Sequence, residues 1–248
     1  MPRLQPLRRH PERTFRAFLK ANRFFLLGVA LLLVVQLGVL MTNPQGDILL
    51  LLNEMRQPWA DTFFRIGTKL GEPIAYVVLL LLVAAFRWRT AIFMVVTGAT
   101  VAVVAGILKV IFGQARPLKY FGDMDWTIVE ALNRFPEEYE NWGFSSFPSG
   151  HTASAFALYS FLCFNVKRPK VIVSILCFLL AFEVGLSRMY LLYHFLRDVT
   201  AGALLGVLVA MLMYLLQWAM WPDKEALNRG WWHRLYPGKP LAGKVSPP

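Results

Sequence analysis

The sequence predicts an all-α fold, a six-transmembrane-helix bundle with short amphipathic helices at its outer face. Hydrophobic residues make up 56% of the chain and charged residues only 17%, which is typical of a membrane protein. The apolar stretches approach the length of about 20 residues that a helix needs to cross a bilayer. They lack the alternation of polar and apolar residues that strands of a membrane barrel would show.

Six apolar segments supply the predicted spans, of which the second and fifth are short and borrow flanking residues. The first segment follows a basic stretch and has no small-residue cleavage site after it, so we expect a retained anchor and not a cleaved signal peptide. The segments are 24–41, 73–88, 90–111, 149–166, 171–187 and 198–218.

These segments divide the chain into three parts. A basic N-terminal segment (1–23) precedes the membrane domain (24–218), and a basic, Pro-containing tail (219–248) follows it. We expect the tail to be largely disordered beyond Trp232, because it is polar and rich in proline.

The distribution of positive charge predicts the orientation in the membrane. The net charge is +11, but the charges lie mostly in the terminal segments and short loops, which disfavours nucleic acid as a partner. With both termini in the cytoplasm, 17 of the 26 Lys and Arg residues lie inside. The positive-inside rule therefore predicts cytoplasmic termini for a protein of the cell (inner) membrane.

Two further segments are expected at the outer, periplasmic or extracellular, face. Residues 42–72 mix apolar runs with charges and predict one or two short amphipathic helices, which either cover the bundle or guide a lipid. Residues 118–147 are acidic and aromatic and form either a lid or an interfacial anchor. Cys163 and Cys177 lie within apolar runs and are expected to be buried free thiols.

Three motifs place cations, histidines and a carboxylate at the ends of the predicted spans. In the predicted topology all of them lie at the outer face, at one membrane level. Arginine matches two phosphate oxygens with its planar fork, and a lysine adds a further charge, so the set is suited to binding phosphate. The motifs are K-x6-R-P (Lys109, Arg116), P-S-G-H (Ser149, Gly150, His151) and S-R-x5-H-x3-D (Arg188, His194, Asp198).

The third motif predicts a nucleophile. His194 and Asp198 are four residues apart, a spacing that brings two side chains together at a helix or its entry. A carboxylate that holds one imidazole nitrogen leaves the other free to attack phosphorus. In the second motif, Ser149 is expected to cap a helix whose N-terminus attracts anions, and Gly150 allows close approach of the backbone.

Together the three motifs resemble the signature of the type 2 phosphatidic acid phosphatase family, which includes bacterial acid phosphatases and vanadium-dependent haloperoxidases. The resemblance covers 109–198, about a third of the chain. It implies that His194 forms a phosphohistidine, that Asp198 orients it, and that His151 protonates the leaving alkoxide. It also implies that no metal or cofactor takes part and that five residues hold the phosphate oxygens. These are Lys109, Arg116, Ser149, Gly150 and Arg188.

We therefore expect a membrane lipid phosphate phosphatase whose substrate tail stays in the bilayer. Candidate substrates are phosphatidylglycerol phosphate, phosphatidate, undecaprenyl diphosphate and lipid A phosphates. A phosphotransferase that uses the same phosphohistidine is an alternative, and a non-catalytic binder or transporter is disfavoured because both motif histidines and Asp198 are present. The oligomeric state stays open, as does Glu183 in the fifth segment, which either supports a motif cation or makes a remote structural hydrogen bond.

Overall fold

The computed structural model describes residues 15–135, 142–167, 169–221 and 224–235. Within these ranges all regular structure is helical, which confirms the predicted all-α class. Most of the tail predicted to be disordered, the acidic residues at 137, 138 and 140, and Arg168 lie outside the described residues. A short helix at Trp232–Leu235 occupies the start of the segment for which we expected disorder.

Six long helices coincide with the six predicted apolar segments, with ends that differ by at most three residues. Short helices connect them, together with single 3-10 turns at Thr68–Gly71 and Glu225–Asn228. The α-helices are α1 (Phe15–Ala21), α2 (Arg23–Thr42), α3 (Asp47–Glu54), α4 (Pro58–Gly67), α5 (Pro73–Phe86), α6 (Trp88–Phe112), α7 (Pro117–Met124), α8 (Trp126–Ala131), α9 (Gly150–Asn165), α10 (Lys170–Tyr190), α11 (Leu196–Met220) and α12 (Trp232–Leu235).

Four helical stretches among the described residues are long and apolar enough to cross a membrane. They are α2, α10, α11 and the stretch Trp88–Met124, which contains α6. A fifth is added if Pro58–Gly71 and Pro73–Phe86, which are bent by 55° to each other, count as one span. The protein is thus a multi-pass membrane protein with four to five such spans. The remaining predicted span, 149–166, corresponds to α9, which has only 16 residues.

α9 is the central helix of the bundle and packs against α6, α10 and α11. Two glycines of α11 allow this close contact. A Cβ atom at Gly202 would lie 2.6 Å from the carbonyl oxygen of Ser149, and one at Gly206 would overlap the carbonyl oxygen of Ala153. Small residues at this spacing let two helix backbones approach each other, so α9 and α11 are held in a fixed register.

Local signals end the helices where the motifs lie. Gly113 adopts the left-handed conformation (φ 51°), and its N–H donates to the carbonyl of Lys109, which closes α6. Arg116 then precedes Pro117, the first residue of α7. Ser149 caps α9 as predicted, since its side chain accepts a hydrogen bond from the backbone N–H of Thr152.

The two segments outside the long helices are also helical. α3 and α4 occupy residues 42–72, as predicted, and α4 packs against α10 while Trp59, Phe63 and Ile66 are exposed. α7 and α8 occupy the first half of the acidic segment. The cysteines are free and buried, which confirms that expectation. The placement of these helices on a particular leaflet stays a prediction.

Candidate active site

The three motifs converge at one end of the bundle. The backbone N–H of Ser149 donates to the carbonyl of Asp198 at 3.0 Å, which joins the second motif to the third. Gly150 lies beside Lys109, whose Cε would be 3.8 Å from a Cβ atom placed on that glycine. The structure therefore brings together residues that are up to 89 positions apart in the sequence.

His194 and Asp198 form a buried pair. His194 is 2% exposed and Asp198 is fully buried. Nδ1 of His194 lies 3.6 Å from Oδ2 of Asp198, slightly beyond hydrogen-bond distance, and has no closer partner among the described residues. Asp198 is itself fixed, because Oδ2 accepts hydrogen bonds from the hydroxyl of Ser146 and from the N–H of Phe195 at 2.9 Å. Nδ1 thus faces the carboxylate, and the ring geometry turns Nε2 away from it.

A tight turn after α10 positions the imidazole. The carbonyl of Arg188 accepts hydrogen bonds from the N–H groups of both Tyr193 (3.0 Å) and His194 (3.1 Å). Leu192 has a positive φ of 57°, a conformation that costs a leucine about 1–2 kcal/mol. Its fully buried side chain holds it there, so core packing stabilises a strained turn next to His194.

Arg188 is oriented from two sides. Its Nη1 donates to Oγ1 of Thr68 at 3.0 Å, and its guanidinium carbon lies 3.7 Å from the centre of the Tyr193 ring. The residue is 6% exposed, and Nε has no partner among the described residues. A buried guanidinium with an unused donor is well suited to a phosphate oxygen.

Lys109 and Arg116 flank the segment that leads into α9. Nζ of Lys109 donates to the carbonyl of Ser145 at 2.6 Å, and Nε of Arg116 lies 3.3 Å from the Ser145 hydroxyl. The N–H of Arg116 also donates to the carbonyl of Gly143 at 2.9 Å. The described end of the 118–147 segment therefore forms a wall of the site, and the choice between lid and anchor stays a prediction.

The start of α9 completes the arrangement. Ser149 is fully buried, and its hydroxyl oxygen accepts from the Thr152 hydroxyl at 2.9 Å. Gly150 presents bare backbone at the helix N-terminus, where unpaired N–H groups attract anions. His151 is half-buried in the first turn of α9, within electrostatic reach of Lys109 and Arg188.

Burial sets the protonation state of His194. It lowers the pKa of this imidazole to about 4; the neighbouring carboxylate of Asp198 opposes the shift, and the charges of Arg188 and Lys109 add to it. His194 is therefore neutral near pH 7, the form in which a nitrogen lone pair is available.

Several residues of the site escaped the sequence analysis. Ser145 and Ser146 lie just before the P-S-G-H motif, separated from it by Phe147, and that proximity was a usable signal. Tyr193, next to His194, was another. Thr68 lies 120 positions before Arg188, and nothing in the sequence pairs them.

Glu183 lies close to the elements that hold Arg188. Its carboxylate lies directly against Gly67, where a Cβ atom would overlap it. Neither oxygen accepts a hydrogen bond from the described residues, which disfavours the structural hydrogen bond. Glu183 thus contacts the residue that precedes Thr68, whose hydroxyl accepts from Arg188, and support of a motif cation stays a prediction.

The described residues do not form a cluster that could bind a metal ion. In the part of the chain that the structure describes, no group of three or more His, Cys, Asp or Glu side chains is placed to hold a metal ion. The charge available to a bound phosphate at this site is that of the motif cations and the N-terminus of α9.

Known proteins share this architecture. A lipid A 4'-phosphatase of Bacteroides thetaiotaomicron is 30% identical over 176 residues, which cover 68% of this chain and 74% of that protein. The crystal structure of Aquifex aeolicus LpxE matches with a TM-score of 0.56 and 29% identity, over 68% of this chain and 93% of that one. The crystal structure of a transmembrane PAP2 type phosphatidylglycerolphosphate phosphatase from Bacillus subtilis matches with a TM-score of 0.56 and 26% identity, over 79% and 93%.

Other relatives are matched over smaller parts. The chain spans 36% of the length of one curated relative and 52% of another. The family model of the PAP2 superfamily matches residues 89–222, more than half of the chain, and this range contains all three motifs. The chain belongs to the PAP2 superfamily.

Proposed function

We propose that this chain is a membrane lipid phosphate phosphatase that works through a phosphohistidine intermediate and without a metal ion. The observation that carries the proposal is the buried His194–Asp198 pair beside the cations Lys109, Arg116 and Arg188. A neutral imidazole held by a carboxylate is a nucleophile, and a ring of fixed cations is a receptor for the phosphate that it attacks.

In the first step, Nε2 of His194 attacks phosphorus, and the bond from phosphorus to the lipid oxygen breaks. His151 gives its proton to the departing oxygen, which leaves as the lipid alcohol, or as the lipid phosphate when the substrate is a diphosphate. Asp198 stabilises the positive charge that develops on the imidazole. The three cations and the backbone at Gly150 neutralise the charge on the phosphate oxygens in the transition state.

In the second step, a water molecule attacks the phosphorus of the phosphohistidine. His151, now deprotonated, accepts a proton from this water, and the bond between phosphorus and Nε2 breaks. Inorganic phosphate leaves, and both histidines return to their starting protonation states. Ser149 contributes its hydroxyl hydrogen to a phosphate oxygen, since its oxygen already accepts from Thr152.

The substrate is proposed to be a lipid because the site lies at the ends of apolar helices. The names of two of the matched proteins, which specify lipid A and phosphatidylglycerol phosphate, support a lipid phosphate. We further propose that α9 completes a six-span domain (24–218) between cytoplasmic segments 1–23 and 219–248. The site then faces the periplasmic or extracellular side of the inner membrane, as the positive-inside rule favours.

The test is phosphate release by the detergent-purified full chain from a panel of lipid phosphates in the presence of a chelator. We expect release that resists the chelator and is lost in His194→Ala, while the variant keeps its thermal unfolding midpoint. A radioactive phosphate donor should label the wild type, and loss of this label in mild acid would indicate a phosphohistidine. Release that persists in His194→Ala overturns the nucleophile assignment, and chelator sensitivity overturns metal independence.

A further inference from the structure

A cavity of about 800 Å³ lies at the end of the bundle opposite the candidate active site. α9, α10 and α11 each have one end at the site and the other at this cavity. Along α9, the distance from Gly150 to Asn165 is about 22 Å at the usual helical rise. The cavity is therefore separate from the phosphate site and is not used by the proposed mechanism.

Three cations line the cavity: Arg87, Lys167 and Lys170. No Asp or Glu is among its lining residues in the described part of the chain. A concave surface lined by several cations attracts an anion.

Aromatic rings form the other side of the same cavity. Phe18 lies 4.9 Å from Phe164 and 5.0 Å from Tyr214, measured between ring centres, and Trp218 continues this wall. Aromatic side chains that end in polar groups are favoured where a membrane meets water. The cavity thus combines a cationic side with an apolar, aromatic side.

Two of the cations also cap α9. Nη1 of Arg87 donates to the carbonyl of Asn165 at 3.2 Å, and Nζ of Lys170 donates to the carbonyl of Val166 at 3.0 Å. Capping explains why these side chains point to the C-terminus of α9. It does not explain the empty volume in front of them, nor the aromatic wall across it, and a guanidinium that donates one bond keeps further N–H donors.

We propose that this cavity binds the phosphate headgroup of an anionic phospholipid. A basic pocket between transmembrane helices is a recurring receptor for anionic headgroups. The shared chemistry is that of a phosphate anion, which free phosphate also offers. The aromatic wall favours the lipid, since the apolar rings contact acyl or glycerol carbons and offer nothing to a small inorganic ion.

The test is native mass spectrometry of the full chain in neutral detergent with phosphatidylglycerol, phosphatidylcholine or inorganic phosphate added. We expect one phosphatidylglycerol molecule to be retained, with affinity about fivefold weaker in Lys167→Gln and on the order of 100-fold weaker when Arg87, Lys167 and Lys170 are all changed to Gln. The matched control changes Arg16, Lys20 and Arg23 to Gln. These substitutions remove the same amount of charge, but from exposed residues that do not line the cavity.

Ala17→Phe provides an independent variant. Ala17 lines the cavity, so the larger side chain fills part of it while every cation is kept. We expect this variant also to lose the bound lipid, which keeps the proposal testable if the triple variant unfolds. Equal loss in the control triple, equal retention of phosphatidylcholine, displacement by equimolar inorganic phosphate, or unchanged binding in Ala17→Phe would each overturn the proposal.

Discussion

α2 and α9 are both long helices of one bundle, yet they differ in how much of their side-chain surface is exposed. α2 presents large aliphatic side chains outward, and Leu27, Leu31 and Val34 are each more than 60% exposed. α9 has almost no exposed surface, and Ala153, Ala157 and others among its residues are fully buried. The first helix faces a lipid environment, and the second faces other helices.

The motif residues lie at or beside the ends of the mutually packed helices, and α2 contributes none of them. The glycines of α11 let this helix come into backbone contact with α9, and the hydrogen bond from Ser149 to the Asp198 carbonyl lies at that contact. Hydropathy therefore identifies helices that can face lipid, but it does not indicate which of them lie beside the motifs.

The largest expected effect comes from placing bulk at the α9–α11 contact. Gly206→Leu forces a side chain into the backbone of α9 at Ala153, and we expect a loss of stability of more than about 4 kcal/mol. Gly38→Leu in α2 is the matched control, because nothing lies within 4 Å of a Cβ atom there. The thermal unfolding midpoint in detergent measures the stability of both variants. Equal losses of stability would contradict the difference in packing between α9 and α2.

A change that keeps the side-chain shape but removes its charge, at the same contact, tests catalysis apart from packing. Asp198→Asn keeps the shape of the side chain but favours the wrong imidazole tautomer, and we expect kcat to fall by about 100-fold or more with little change in KM. The control is Asp123→Asn, whose carboxylate is exposed and pairs only locally with Lys119. If kcat is unchanged in Asp198→Asn, Asp198 acts only as a helix cap that accepts a hydrogen bond from the N–H of Phe195.

A third change tests the contact between Gly67 and Glu183. Gly67→Ala places a methyl group against the carboxylate, and we expect a loss of about 1–3 kcal/mol together with weaker phosphate binding, because Thr68 and Arg188 shift. Glu183→Ala should restore much of the loss in the double variant, so the two changes are non-additive. Gly106→Ala in α6, where nothing lies within 4 Å, should be neutral or slightly stabilising.

A fourth prediction concerns the pH dependence of stability. Since burial lowers the pKa of His194 from about 6.5 to about 4, the unfolded chain binds more protons than the folded chain between these values. Stability should therefore fall as pH decreases from about 6.5 to about 4, with no further contribution from His194 below that range. Denaturation midpoints of the wild type and His194→Asn across this range measure the contribution, and identical slopes would contradict it.

Much of the helical framework could be predicted from the sequence, because each element carries its own local signals. The apolar segments fixed six helices to within three residues, and Ser149 could be recognised as a cap from its position before α9. The number of spans is a different matter, because α9, with 16 residues, is not among the helical stretches that are long and apolar enough to cross a membrane. Burial against neighbours, and not composition, explains why it is a long helix of the bundle.

The motif residues of the site could be predicted from the sequence, but the residues that hold them in position could not. Proximity of His194 and Asp198 follows from their spacing alone. The contact of Arg188 with Thr68 and the wall at Gly143–Ser146 depend on how distant segments fold over the motifs. Such contacts connect residues with no periodic relation, so no pattern in one sequence indicates them.

The composition of α9 has a consequence for how the protein is assembled. Thr152, Ser154 and Ser160 lower the apolar character of a helix of only 16 residues. Insertion by the translocation machinery depends on the apolar character of each segment, so α9 on its own would partition weakly into the bilayer. If α9 crosses the membrane, its insertion must be assisted by α10 and α11. The helix that starts at the P-S-G-H motif would then insert stably only after these two helices have been synthesised.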